Sequence, residues 1–403
     1  MRKWGTFIFM PTVMNLEVRE LNEMKITITK DRLNEAISHV AKAISSRTTI
    51  PILSGIKIDV TDAGVTLTAS DTDISIQAFI PIEENGHEII QVYDKGSIVL
   101  PAKFFSEIMR KLPSQEVELS VKPPFQATLR SGTAEIQLMG LDPEEYPQLP
   151  QIEEKKMISM NSDLLKTMIR QTSFAVSTSE STPILTGVLW NLSQDGLRFL
   201  SCDRHRLALR ETPLVTEESQ HFHNIVISGK TLNELSKILP DQNSITDIVV
   251  SDNQLLFRMS NLLFFSRILE GTYPDTTKLI PKSFQTELVI SGKQLTEAID
   301  RAYLLSREEK TNIVKLIMNE DQSIEISSSS SELGRVTETI SAERLEGDLL
   351  KISFNSKYML EALRAIDSDT IKLGFTGAMS PIIIEPVGDS KLLQLILPYR
   401  TVN

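Results

Sequence analysis

Along residues 25–29 polar and apolar side chains alternate, the period of a half-buried strand. From Leu33 the spacing lengthens, and Leu33, Ile37, Val40, Ala41 and Ile44 fall on one stripe of a helix. Strand-like stretches follow at residues 55–60, 65–70 and 73–80. Near residue 98 the pattern restarts with Ile98, Val99 and Leu100. Pro101 then stands in the first turn of a helix that carries Phe105, Ile108 and Leu112 and stops at Pro113. The succession returns with four further helical stripes: Leu165, Met168, Ile169 and Thr172; Leu232, Leu235 and Leu239; Leu295, Ala298, Ile299, Ala302 and Leu305; and Met359, Leu363 and Ile366. Thr29, Asn161, Ser228, Ser291 and Asn355 stand at five helix starts, where each side chain can accept from an orphan first-turn amide for roughly 1 kcal/mol.

The units form an internal repeat. Pro51-Ile52-Leu53-Ser54-Gly55 recurs 132 residues later as Pro183-Ile184-Leu185-Thr186-Gly187, and the same shift lays Leu33 on Leu165, Ile37 on Ile169 and Asp71 on Asp203. Glu145-Tyr146-Pro147 and Thr272-Tyr273-Pro274 close corresponding units 127 residues apart. The chain therefore reads as an α+β protein of three repeated domains, residues 24–149, 150–280 and 281–403, each made of two helix-plus-antiparallel-sheet units. Residues 1–23 have no counterpart in the other repeats and read as an N-terminal extension, either disordered or the product of a start assigned too early.

Composition excludes several classes. With 41% hydrophobic and 24% charged residues the chain has the make-up of an ordinary globular protein, and no stretch approaches the eighteen or so apolar residues of a membrane helix. The single cysteine, Cys202, cannot form an internal disulfide, which fits a reducing, cytoplasmic setting. The net charge of −11 argues against nucleic acid until its distribution is read. The helical segments 30–47, 101–112, 161–177, 228–240, 291–307 and 355–366 carry +2, +2, +1, +1, +1 and +1, together +8, so the rest of the chain carries −19. Lys and Arg on a solvated face account for any one helix; six of one sign point to a basic face suited to non-specific phosphate contact.

Ile50-Pro51-Ile52-Leu53, Leu100-Pro101-Ala102-Lys103-Phe104-Phe105, Asp203-Arg204-His205-Arg206-Leu207-Ala208, Gly271-Thr272-Tyr273-Pro274-Asp275 and Leu395-Ile396-Leu397-Pro398-Tyr399-Arg400 follow in order with the triple repeat. On these motifs the chain resembles, over residues 24–400, the bacterial DNA polymerase III beta subunit family, the replicative sliding clamps. The resemblance implies a head-to-tail homodimeric ring with the helices inside, encircling double-stranded DNA without sequence preference. The implied partners are the replicative DNA polymerase, the clamp loader, other polymerases, and repair or ligation proteins that bind through short peptide motifs. It further implies a peptide pocket walled by Leu185, His205, Arg206, Leu207, Pro274, Lys278, Leu279, Asn355, Tyr358, Pro381, Leu395, Ile396 and Leu397, although from the residues alone the aliphatic members read first as ordinary core. DNA contacts are implied at Lys42, Arg47, Lys103, Arg110, Lys166, Arg170, Lys230 and Lys237, and ring closure where Ile136 and Leu138 meet Leu304 and Leu305. Lys278 stands where some relatives have arginine, Arg204 where many have glycine, and Thr401-Val402-Asn403 extends past the usual end.

No catalytic residue, metal or cofactor is expected. Cys202, Asp203 and His205 are neighbours, but three residues along a strand or turn cannot all face one point, and no oxyanion donor is identifiable. His221 and His223 share a strand face without an evident third ligand, and no glycine-rich phosphate loop is present. Two rival readings remain: a peptide-binding adaptor built from repeats that never encircles DNA, and a hydrolase using Asp203 and His205.

Overall fold

The computed structural model describes residues 23–45, 48–149, 152, 156–240, 243–308 and 312–400. Contacts divide them into two compact units, one holding most of the first 147 residues and the other holding the residues from 148 onward together with Ser70–Gln77.

In the first unit, α1 (Lys30–Val40) and α2 (Ala102–Lys111) lie side by side, joined where Asn34 Nδ2 donates to the Met109 carbonyl at 3.4 Å. One antiparallel sheet runs Ala134–Met139, Gln126–Ser131, Glu116–Lys122, Met24–Thr29, Ile90–Asp94; the strands Gly64–Ser70, Gly55–Thr61 and Gly96–Pro101 lie side by side in that order. The predicted stripes hold with two shifts. α1 buries Leu33, Ala36, Ile37 and Val40, then tightens into a 3-10 turn at Ala41–Ala43, which turns Ala43 inward in place of Ala41. In α2 the inward positions are Ala102, Phe105 and Met109, with Ile108 on the flank, because the helix starts at Ala102 and Pro101 is its N-cap rather than part of its first turn.

The second unit carries α3 (Ser162–Thr172), α4 (Gly229–Ser236), α5 (Gly292–Ser306) and α6 (Ser356–Ile366). Their inward residues are those the 3.6-residue period selects, except that Leu305 is only half-buried. A nine-stranded antiparallel sheet runs Phe222–Ser228, Gly187–Ser193, Gly196–Cys202, Arg206–Thr212, Leu392–Ile396, Ile382–Pro386, Thr370–Phe375, Thr286–Ser291, Arg344–Gly347. Its middle pairing, Leu207 opposite Leu395 and Leu209 opposite Leu393, joins the second repeat to the third in one ladder. A four-stranded sheet (Gly334–Ser341, Ser323–Ser330, Ile313–Met318, Lys351–Asn355) packs its apolar face on α5. Trp190 stacks on Phe199 at 3.9 Å and meets Phe257 edge-on, so strands of the second repeat close over one aromatic core.

The repeated motifs prove to be repeated geometry. Pro51–Ser54 and Pro183–Thr186 are both 3-10 turns whose last hydroxyl, Ser54 Oγ or Thr186 Oγ1, donates to the proline carbonyl at 2.7 Å. The glycine that follows admits no side chain: a Cβ on Gly55 would lie 2.4 Å from Val99 Cγ1, and one on Gly187 would lie 2.5 Å from Val226 Cγ1. Asp71 Oδ1 accepts from the amides of Asp73 and Ile74, and Asp203 Oδ1 from those of His205 and Arg206, at 3.0 to 3.1 Å. Each aspartate precedes a left-handed residue, Thr72 at φ 80° and Arg204 at φ 77°. That backbone explains why glycine suits the second position and why arginine there is a strained choice.

Three of the five expected caps form: Asn161 and Asn355 each accept from two first-turn amides, and Ser291 from one. Thr29 and Ser228 make no side-chain cap bond. The Thr29 hydroxyl donates instead to the Ile89 carbonyl at 3.3 Å, just ahead of the strand Ile90–Asp94, rather than to the helix. Asn161→Ala is therefore expected to lower stability by about 1 kcal/mol and Ser228→Ala by less than about 0.5 kcal/mol. Equilibrium urea unfolding of both variants checks this; equal losses would show that helix capping is not what distinguishes them.

Candidate functional site

The residues assigned to a peptide pocket gather on the junction of the second and third repeats. Leu185, Leu207 and Leu395 belong to one apolar cluster with Leu200, Leu209, Val226, Tyr273, Ile383 and Leu393, on one face of the nine-stranded sheet. Ile396 does not share that face. Alternation along Leu392–Ile396 turns it into the helix-side core with Phe354, Met359 and Leu363, so it supports the sheet from behind. Leu397 is 38% exposed and sits against the turn, its amide donating to the His205 carbonyl at 2.8 Å. Pro274, Lys278 and Leu279 are exposed on a loop that borders the cluster through Tyr273 and Ile280. Pro381 and Tyr358 are half-buried, and the His205 and Tyr358 rings stack 6.4 Å apart.

Arg206 is committed elsewhere. Its Nε donates to Asp203 Oδ2 at 2.9 Å, Nη1 to Glu361 Oε2, and Nη2 to the Phe174 carbonyl at 2.6 Å, while its guanidinium lies 4.4 Å from the Tyr358 ring centre and 5.3 Å from that of Phe174. A guanidinium so occupied is a clasp between repeats, holding Tyr358 in place. Asn355 is likewise engaged, since its Oδ1 caps α6. Burial, with the Asp203 carboxylate second, raises the Tyr358 phenol above its ordinary range, so the ring stays neutral. Sequence reading reached Asp203 and Arg206 as neighbours but missed Phe174 and Glu361. They lie 32 and 155 residues from Arg206, so no local signal marks either.

Cys202 is buried, and burial pushes its thiol pKa upward; its backbone amide donates to the Tyr273 hydroxyl at 2.9 Å. A thiol held in its protonated form is a poor nucleophile. Asp203 is consumed by the turn and by Arg206, so Cys202, Asp203 and His205 form no catalytic relay. Among the described residues no group of three or more His, Cys, Asp or Glu is placed to hold a metal ion.

The helices present their basic residues outward. In the first unit Lys103 and Arg110 are exposed on α2, and Lys42, half-buried just past α1, donates to the Ser38 carbonyl at 2.9 Å. In the second unit the helices form a row. Ser173, just past α3, donates to Asn233 of α4 at 2.9 Å, Arg170 of α3 donates to the Arg364 carbonyl of α6 at 3.4 Å, and Arg364 pairs with Asp300 of α5 at 3.2 Å. Arg170, Lys230 and Lys237 are exposed and Lys166 half-buried; Lys237 pairs with Glu234 at 2.7 Å and Arg170 with Asp367 at 3.6 Å. Such exposed pairs are worth little and exchange readily for phosphate. Arg47 lies outside the described residues. Ile136 and Leu138 alternate half-buried with exposed neighbours on the edge strand Ala134–Met139, while Leu304 is 51% exposed near the end of α5. The four-stranded sheet also ends on an open edge, Gly334–Ser341, which the sequence reading did not single out.

Comparison with known proteins agrees across the chain. Models of the DNA polymerase III beta subunit match as its N-terminal domain over residues 24–150, its central domain over 159–275 and its C-terminal domain over 277–400. The beta sliding clamp of Bacillus subtilis is 54% identical over 378 residues, covering 94% of this chain and all of that protein. The crystal structure of the DNA polymerase sliding clamp from Bacillus subtilis superposes with a TM-score of 0.91 at 53% identity, and that of the beta chain from Streptococcus pneumoniae with 0.89 at 37%; each covers 94% of this chain and the whole of the other. No helix of the described residues is long and apolar enough to cross a membrane. The chain belongs to the DNA polymerase III beta subunit family, the beta sliding clamps, which are non-catalytic processivity factors of DNA replication.

Proposed function

We propose that two copies of this chain close head to tail around duplex DNA in the cytoplasm, and that the apolar face at the junction of the second and third repeats docks short peptide motifs. The partners are the replicative polymerase, the clamp loader, other polymerases, and repair or ligation proteins, which compete for one pocket per chain. Repeat borders near residues 149 and 280 fit this reading. The observation that carries it is the exposed Leu397 beside the His205–Tyr358 stack and over a buried cluster that includes Leu207 and Leu395. Apolar surface left open above a packed, rigid sheet is what a peptide anchor fills.

Two aliphatic or aromatic anchors at roughly 1.5 to 3 kcal/mol each, with a few hydrogen bonds near 1 kcal/mol apiece, approach the roughly 8 kcal/mol of micromolar binding once ordering costs are met. Partners of that affinity exchange. Arg206 contributes by holding Tyr358 rather than by meeting the peptide, and Leu207 contributes as floor.

Leu397→Ala is expected to weaken binding of a clamp-binding peptide about tenfold or more while leaving the melting temperature within about 2 °C, because the side chain is partly exposed before binding. Fluorescence polarisation and thermal unfolding read the two effects separately. Unchanged affinity would remove Leu397 from the site. Leu207→Ala, by contrast, is expected to cost about 2 to 5 kcal/mol of stability, since that side chain is 2% exposed.

A closed ring holds DNA by topology, whereas a basic patch making six to ten phosphate contacts loses roughly 10³ to 10⁵ in affinity between 50 and 200 mM salt. Clamps loaded on nicked circles are expected to survive that salt increase and to leave once the circle is cut. Lys103→Ala with Lys166→Ala should weaken loading but not the retention of closed rings. Equal salt sensitivity on circular and linear DNA would favour the adaptor that never encircles DNA.

A further inference from the structure

The outward face of the four-stranded sheet is built unlike the rest of this acidic chain. Strand register places Ser353, Lys315, Ser327 and Thr337 in one row across it, Lys351, Ile317 and Glu325 in the next, and Ser329 beside Arg335 in a third. Of these, Lys315, Ile317, Lys351, Glu325, Ser327, Ser329 and Arg335 line a cavity of about 570 Å³. Three cations share it with a single carboxylate, Glu325, which Arg335 approaches at 3.7 Å. Neither Lys315 nor Lys351 lies within ion-pairing distance of a carboxylate among the described residues.

We propose that this face is a binding site for a small anion bearing more than one phosphoryl group, with Lys315, Lys351 and Arg335 as charge partners and the Ser327 and Ser329 hydroxyls as donors. The excess of cations over carboxylates in the cavity is what such an anion neutralises. The lysines serve as point charges and the arginine as a planar two-donor fork. The volume falls in the range of small-molecule sites, about 300 to 1,000 Å³, and suits a ligand of that size. The side chains stand on paired strands whose other face is packed core, so the array is preorganised. The Lys315 ammonium is pushed below the ordinary lysine range, first by burial and then by Lys351 and Arg335, with Glu325 opposing. A bound anion relieves that repulsion. Because the chain is −11 overall, its long-range field repels anions, and attraction must come from this local cluster.

The test titrates inorganic pyrophosphate into the full chain at constant ionic strength by calorimetry, with chemical shifts of Ser327 and Ser329 amides as a second reading. Wild type is expected to bind, and Lys315→Gln with Lys351→Gln to bind at least tenfold more weakly while melting at the same temperature. Lys293→Gln, on an exposed position of α5, should bind as wild type. Absence of pyrophosphate binding, equal binding by the double variant, or binding of single-stranded DNA with none of pyrophosphate would overturn the proposal.

Discussion

The antiparallel pairing of Arg206–Thr212 with Leu392–Ile396 is the constraint on which the candidate site depends. It makes one sheet from two repeats, so residues nearly two hundred positions apart become neighbours across a ladder. Main-chain hydrogen bonds supply its regularity, and packing of Leu207, Leu209, Leu393 and Leu395 on one face, with Ile396 on the other, supplies most of its driving force. Arg206 locks the seam from the side. Its three partners come from the turn before it, the segment after α3 and a turn of α6, so the clasp forms only when both repeats are in place. A guanidinium buried this deeply costs desolvation that complete pairing offsets, and for that reason it specifies the junction more than it stabilises the fold.

The clasp arose within a repeated turn. Asp71 and Asp203 organise the same loop with the same two amide bonds, but the residue donating the second amide is Ile74 in one copy and Arg206 in the other. Isoleucine continues a buried strand there; arginine reaches out to bind Asp203 Oδ2 and Glu361. One backbone device thus serves as a plain strand connection in the first repeat and as the edge of a candidate peptide pocket in the second. The side chain differs while the turn stays the same, which is how repeat architectures diversify without losing their packing.

Charge is divided by element type. Helices bury an apolar stripe and turn lysine and arginine outward, and in the second unit hydrogen bonds and ion pairs tie α4, α3, α6 and α5 into one layer. Many of those cations are only loosely partnered, through surface pairs or local carbonyls, so they remain available to phosphate. The acidic excess falls mainly outside the helices, with the Lys315–Lys351–Arg335 face as an exception.

What the sequence by itself determined was the repeating unit. Helical stripes, the Pro-Ile-Leu turns with their following glycines, the two aspartate turns and the positive helices are all written in contiguous residues, because each depends on dihedral preferences, on period and on hydrogen bonds a few positions long. Even there, a 3-10 turn exchanged Ala41 for Ala43, and Thr29 was drawn from its helix to the Ile89 carbonyl, sixty residues along the chain. Only the tertiary structure decided that Leu395 faces outward and Ile396 inward, that Leu397 is open while Leu207 is floor, and that Arg206 is spent on Glu361 and Phe174. Those facts depend on strand register and on partners far along the chain, and a one-residue slip in register would invert every one of the facing assignments.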